Sequence, residues 1–367
     1  FSFSSDKDLA LDIEYFLKYD LYLNIAHVAM QYNIGSLKKT ETIETIKLLR
    51  TFLSDNKLLL PILKSETKIE DSHTLIEACI TKELGDIGQK VHLHRSRNDQ
   101  VKTLIHLKMR QDILNIIASL TDLCETLLKK SNETKEILMP AFTHLQPAQP
   151  STLGHYYMSK VEEIMRDIQD LQNLLIKINI SPLGAVAIAG APTIDNIKID
   201  RQMTANLLGF NSIQENTIDA VSSSGEFIMN LAQILNVIVT LKFSRICEDL
   251  IVWSSMGMIK IGSKYGTSSS IMPQKFNPDI IELIRAKSGN MMAHIIKIAT
   301  ICKGTPTGYN RDFQEVKHVL IEAVNDVIQI INVMNGVLSS IEPNTDQMTK
   351  ILKKHNCGST DLANLIT

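Results

Sequence analysis

Proline and glycine are scarce in this chain of 367 residues, which holds 10 of the first and 16 of the second. No proline stands from Ile62 to Met139 or from Thr193 to Met272, and no glycine from Gln89 to Leu153. Gaps of that length argue against sheets closed by many turns and favour long uninterrupted helices. An excess of one charge is also missing. Lys+Arg 38 against Asp+Glu 40 gives a net charge of -2, and a pI of about 6.6 leaves no broad basic field for nucleic acid. Paired cysteines are absent too. Cys79, Cys124, Cys247, Cys302 and Cys357 are odd in number, scattered and without a CxxC pair, which fits reduced core thiols in a cytoplasmic protein, not a disulfide frame or a zinc site. The longest apolar run, Phe227 to Leu241, is broken by Asn230, Gln233, Asn236 and Thr240. A membrane span needs roughly 18 or more apolar residues with few such breaks, so this run reads as a central bundle helix and no membrane role follows.

The length is enough for about two to three domains of roughly 100 to 200 residues each. No signal peptide opens it, yet it begins at Phe1 and stops at Thr367 inside the helix-like run Thr360 to Ile366, and so reads as a piece of a longer chain. Between Asn98 and Lys130 the apolar residues Ile105, Met109, Ile113, Ile117, Leu120, Cys124 and Leu127 recur at steps of three and four, which predicts one helix with a buried stripe. Glycine and proline collect instead at Pro140 to Gly154, Pro182 to Pro192, Gly257 to Pro278 and Gly304 to Gly308. These segments read as loops joining long helices, where chemistry can sit on a rigid frame.

Four segments concentrate polar groups. His92-Leu93-His94-Arg95-Ser96-Arg97-Asn98-Asp99-Gln100 precedes the stripe helix, with Asn98 or Asp99 placed to cap it and with free N–H groups suited to a carboxylate. Thr143-His144-Leu145-Gln146-Pro147-Ala148-Gln149-Pro150 sets a histidine among hydroxyl and amide neighbours, either to transfer a proton near neutral pH or to be held structurally. Gly266 to Asp279 carries Ser268, Ser269, Ser270, Lys275 and Asn277 and leads into a helix bearing Glu282; a mobile loop with a fixed positive charge ahead of a helix start is a sensible lid for an anion. Tyr309 to Lys317, if helical, brings Asn310, Gln314 and Lys317 to one face.

In order and spacing these segments resemble the fumarase and aspartase superfamily and, within it, the argininosuccinate lyase family. The first resembles that family's Arg-Ser-Arg-Asn-Asp-Gln, the second its Thr-His-Leu-Gln-x-Ala-Gln-Pro, the third its Ser-Ser-x-Met-Pro-Gln-Lys loop, and the fourth its Tyr-Asn-Arg-Asp-x-Gln-Glu-x-Lys. Pro182-Leu183-Gly184 and Asn216 to Ser222 match as well, and the likeness runs from about Asp20 to Leu365. The resemblance implies an all-α fold, a long-helix bundle whose central helices form a tetramer core. It divides the chain into an N-terminal helical domain over 1–96, a central bundle domain over 97–342, and the start of a C-terminal helical domain over 343–367. It further implies a homotetramer with active sites shared between subunits, no metal and no cofactor, and reversible anti elimination of fumarate from argininosuccinate to give arginine.

By the same resemblance Ser269 is the general base, His144 the proton donor to the departing nitrogen, Glu282 the carboxylate that orients His144, and Lys275 a catalytic cation. Arg97, Asn98, Thr143, Lys275 and Asn277 fall among the residues that hold substrate, mainly its succinyl carboxylates, and Tyr309, Gln314 and Lys317 at its arginine end. The chain also departs from the pattern. Phe276 replaces the loop's second lysine, Leu93 and His94 replace Thr-Gly, and Ser223-Ser224-Gly225 stands where many members have Asp-Arg-Asp. The family's N-terminal substrate serine would fall among Ser2, Ser4 and Ser5. Other fumarate-releasing lyases, such as adenylosuccinate lyase or fumarase, and a silent crystallin-like relative are the competing readings.

Overall fold

The computed structural model describes residues 5–65, 69–193, 198–222, 224–272 and 274–366. Its main helices are α1 (Leu17–Asn33), α2 (Lys39–Ser54), α3 (Ser72–Leu84) and the long α4 (Arg97–Glu133). A hairpin of β1 (Leu138–Thr143) and β2 (Gln146–Thr152) leads into α5 (Leu153–Ile178). Next come α6 (Ser224–Asn236), a π-helical stretch over Val237–Phe243, and α7 (Ser244–Ser255). A short ribbon of β3 (Thr267–Ser268) and β4 (Phe276–Asn277) precedes α8 (Asp279–Cys302), α9 (Phe313–Ser339) and α10 (Thr345–Lys354). The strands are confined to two-stranded pairs among the described residues, so the architecture is all-α.

Two compact units share this chain. One takes 1–113, 174–229 and 297–320, the other 114–173, 230–296 and 321–367, so the boundaries fall inside the long helices. In the first unit, Leu17, Leu21 and Val28 of α1 pack in one core with Leu49, Phe52, Leu75, Ile76 and Ile80. A second, small cluster joins Ala185, Ala220 and Val221, with Tyr309 packed against it. In the second unit the buried apolar side chains include Leu120 and Leu127 of α4, Ile164 and Leu171 of α5, Leu231 and Leu235 of α6, and Ile331 and Met334 of α9.

The stripe on α4 is present, with one shift: Ile116 is fully buried in place of the half-buried Ile117. The first turns hold a larger difference. Every residue from Lys102 to Met109 is buried, including Lys102, Thr103, His106 and Lys108. A stripe reading counts apolar letters only, so it does not see a helix buried on all sides.

The run Phe227 to Leu241 lies within Gly225–Ser255, the helix among the described residues long and apolar enough to cross a membrane, with a mean hydropathy of 1.5 in its most apolar window. Of that window 44% is buried, and Lys242 donates both to Asp167 (2.5 Å) and to the carbonyl of Glu163 (2.7 Å). These are the contacts of a helix packed within the bundle. Its π-helical stretch carries Thr240, whose hydroxyl donates to Asn236 Oδ1 (2.7 Å) and also lies 3.3 Å from the Ser288 carbonyl. Cys79, Cys124, Cys247 and Cys357 are buried and Cys302 half-buried, all as free thiols.

Candidate active site

The first unit carries the start of α4. Ser96, not Asn98 or Asp99, occupies the cap position: the backbone N–H of Asn98 lies 3.4 Å from Ser96 Oγ, and Asp99 Oδ1 accepts from the Ser96 N–H at 3.0 Å. A serine followed three residues on by a carboxylate is the reciprocal arrangement that satisfies a helix start. Asp99 also accepts, through Oδ2, from the N–H groups of Gly184 (2.8 Å) and Val186 (2.9 Å). Burial pushes the Asp99 carboxyl up to about 6, against the pull of those N–H groups. Gly184 (φ 87°) and Val186 (φ 55°) are both left-handed, so the turn is bent around this one carboxylate.

That turn sets the neighbouring groups. Asn98 Nδ2 donates to the Ala187 carbonyl at 3.0 Å, Tyr309 packs on the cluster containing Ala185, and the Gly308 N–H donates to Ser222 Oγ at 2.8 Å. Asn98 is therefore bonded to the turn whose Ala185 belongs to the cluster under Tyr309, although 211 positions separate Asn98 and Tyr309 in sequence. Arg97 is held by the cap of α3, with Nη2 on Thr74 Oγ1 at 3.0 Å and Nη1 3.6 Å from Asp71.

The fourth segment is helical only from Phe313. Tyr309 to Asp312 form the approach, and Asn310 Nδ2 donates to the Pro306 carbonyl at 2.9 Å, so Asn310 is not on the helical face with Gln314 and Lys317. Gln314 Oε1 accepts from Arg311 Nε at 2.7 Å, and Arg311 also reaches Glu70 at 3.3 Å. Lys317 is buried and donates to the buried Asp12 at 2.7 Å.

The second unit carries the remaining groups. His144 and Leu145 form the two-residue tip of the β1–β2 hairpin, where Thr143 pairs with Gln146, and their φ values are 53° and 59°. Two consecutive left-handed residues give the turn whose twist matches a hairpin. A histidine and a leucine there, in place of Asn-Gly, hold an uncommon backbone state. The segment was expected to be a loop because of Pro140, Pro147 and Pro150. It forms strands because in a two-stranded ribbon every strand is an edge, and Pro140 faces Pro150 in the register. Thr143, His144 and Leu145 are exposed.

Ser269, Lys275 and Asn277 share the β3–β4 ribbon. Thr267 pairs with Asn277 and Ser268 with Phe276, the Ser269 N–H donates to the Lys275 carbonyl at 3.0 Å, and Thr267 Oγ1 bonds Asp279. Ser269 Oγ accepts from the N–H groups of Met272 (3.2 Å) and Ile271 (3.4 Å). Phe276 covers Gly266, where a Cβ would meet the ring at 2.5 Å and the Asn277 carbonyl at 2.2 Å. Lys275 is exposed, as is Glu282 in the first turn of α8. No hydrogen bond joins His144 to Glu282 or to Ser269 among the described residues. Pro273, Ser223, Ser2 and Ser4, and the side chains of Ser5 and Ser224, lie outside the described residues.

A cavity of about 540 Å³ lies beneath the His144 hairpin, between Phe142, His155, Tyr156, Asp249 and Trp253. None of the expected site residues lines it. Sequence reasoning also missed Asp12 and Lys102, whose neighbours lie far away in the chain, and Asp71, which caps α3 through the Thr74 N–H.

The family described as Lyase matches residues 23–293. The argininosuccinate lyase of Caldanaerobacter subterraneus subsp. tengcongensis is 36% identical over 363 residues, covering 98% of this chain and 80% of that protein. That of Anoxybacillus flavithermus is 40% identical over 352 residues, covering 95% and 74%. In fold the chain is similar to an EDDS lyase solved in complex with formate (TM-score 0.83, 24% identity, 96% and 68% covered). It is likewise similar to a class II fumarase from Schistosoma mansoni (TM-score 0.79, 16% identity, 95% and 80% covered). With a match across most of its length and relatives at this identity, the chain belongs to the Lyase family and stands among its argininosuccinate lyases.

Proposed function

We propose that this protein catalyses the reversible anti elimination of argininosuccinate to arginine and fumarate, in the cytoplasm, as a homotetramer whose active sites are shared between subunits. Removing a weakly acidic proton beside a carboxylate leaves a doubly charged aci-carboxylate, which needs preorganised donors and cations where the charge develops. Ser269 takes that proton. A serine hydroxyl is a poor base in water, and it serves here only with water excluded and its alkoxide stabilised. The observation that carries the reading is the pair of N–H groups, from Ile271 and Met272, already aimed at Ser269 Oγ, on a ribbon that also bears Lys275 and Asn277.

Breaking the C–N bond leaves electrons on the guanidino nitrogen, and His144 protonates it, with Glu282 holding the imidazole in a charged, oriented state. Both are exposed in one chain, as expected of groups that meet at the junction of subunits. Asn98, Thr143, Lys275 and Asn277 hold the succinyl carboxylates, with Arg97 beside Asn98. Tyr309, Gln314 and Lys317 attend the arginine end. The test is to incubate the protein separately with argininosuccinate, adenylosuccinate and malate and follow fumarate by ultraviolet absorbance. Fumarate from argininosuccinate alone is the expected result, and none from it at any enzyme concentration overturns the assignment.

A further inference from the structure

Lys102 stands one helical turn after Asn98 on the same face of α4. It is fully buried, and its ammonium has no hydrogen-bond partner among the described residues. Instead Nζ lies 3.4 Å from the centroid of the Phe313 ring and 5.8 Å from that of Tyr309. The titratable groups facing it among the described residues are Tyr309, His106 and Cys302. His106 Nδ1 is bonded to the Ile180 carbonyl and burial holds the ring's pKa down to about 4, while burial pushes the Cys302 thiol up. Burial raises the Tyr309 hydroxyl as well, so none of the three supplies a negative charge near neutral pH. Lys108 and Lys317, which are also buried, are already paired, with Asp112 and Asp12 respectively.

An unpaired buried ammonium is unfavourable for stability, and an apolar side chain of similar volume would suit the site better. The surroundings nevertheless make room for it. A Cβ on Gly225 would come within 3.1 Å of the Phe313 ring and 3.0 Å of Cys302 Sγ, so the small residue there lets Phe313 lie over Lys102. That glycine belongs to the Ser223-Ser224-Gly225 stretch, where an arginine was expected and is missing.

We propose that Lys102 is a positioning residue for the amino-acid end of the substrate: its ammonium, set against the rings of Phe313 and Tyr309, fixes Tyr309 and supplies the positive field that the substrate's α-carboxylate meets. This rests on the argininosuccinate reading. A cation against an aromatic face in a desolvated site is strong enough to matter at the level of about tenfold in affinity.

The test compares the intact protein with Lys102→Met and Lys102→Arg in steady-state fumarate release from argininosuccinate between about pH 6 and 9. At about pH 6.5, where the wild-type ammonium is charged, Lys102→Met should raise KM roughly tenfold and leave kcat within about twofold. Burial lowers the Lys102 pKa to about 7, so wild-type KM should climb above that pH and converge on that of Lys102→Met. Lys102→Arg, which stays charged, should keep a low KM throughout. It also provides the comparison if Lys102→Met fails to fold, because an arginine profile that climbs in parallel with wild type overturns the proposal. So does an unchanged KM and pH profile in Lys102→Met. If wild type releases no fumarate, the functional assignment itself fails. Calorimetric titration with arginine then decides Lys102: about tenfold weaker binding in Lys102→Met supports it, and equal or absent binding in both proteins overturns it.

Discussion

Lys317 and Asp12 are 305 residues apart in sequence and meet in a buried ion pair of 2.7 Å. The fourth motif's lysine is thus tied to the segment just ahead of α1, and any role toward substrate is exercised from a fixed position. Removing one member of a buried pair leaves the other uncompensated. Lys317→Met should therefore lower unfolding stability by about 3–5 kcal/mol in urea titrations. The double variant with Asp12→Asn should recover most of that loss. Recovery of stability without recovery of KM would separate the contact with substrate from the structural pair, and an undisturbed Lys317→Met would show that the pair contributes nothing to the fold.

Ser269→Ala removes a half-buried hydroxyl from a ribbon whose Thr267, Ser268 and Phe276 are exposed. Turnover should fall by at least about 10²–10⁴, the usual contribution of a positioned proton-transfer group, while helical circular dichroism, melting temperature and mass in solution stay at wild-type values. Retained turnover would mean that another group is the base.

Asp99→Ala leaves three N–H groups, those of Ser96, Gly184 and Val186, without their acceptor. Each buried donor left unpaired costs about 1–3 kcal/mol, so a loss of at least about 2 kcal/mol in chemical denaturation is expected. Because the 184–187 turn also accepts from Asn98 and carries Ala185 of the cluster against which Tyr309 packs, KM for argininosuccinate should rise in the same variant. A destabilised protein with wild-type KM would confine Asp99 to folding.

The sequence made some of this visible and hid the rest for identifiable reasons. Long gaps without proline correspond to α4 and to the α6–α7 run, and the three-and-four spacing located the buried stripe to within one residue at Ile116. The ribbon at Ser269 and the approach at Tyr309 fall where glycine and proline cluster. Hidden were features set by tertiary partners: the hairpin around Pro140 and Pro150, where an edge strand tolerates proline; the cap at Ser96, decided by which hydroxyl faces the helix start; and the Lys317–Asp12 pair, which no local pattern encodes. The burial of Lys102 was hidden for the same reason, since a lysine letter reads as solvent-facing until the helices around it are known.

That lysine gives a prediction for stability as a function of pH. Burial depresses its pKa from 10.5 to about 7, so across that window the unfolded chain binds the proton and the folded chain does not. Stability contributed by this group is then complete above about pH 10.5, declines as pH falls, and reaches its minimum below about pH 7. Lys102→Met escapes the penalty. Its advantage over wild type should be largest near pH 6, on the order of 4–5 kcal/mol as an upper bound, and should shrink toward zero near pH 10. Paired denaturation curves at the two ends of the window measure it. A pH-independent difference would mean that packing, not the buried charge, sets the effect, and a less stable variant at pH 6 would mean that the ammonium has an anionic partner in the assembled protein.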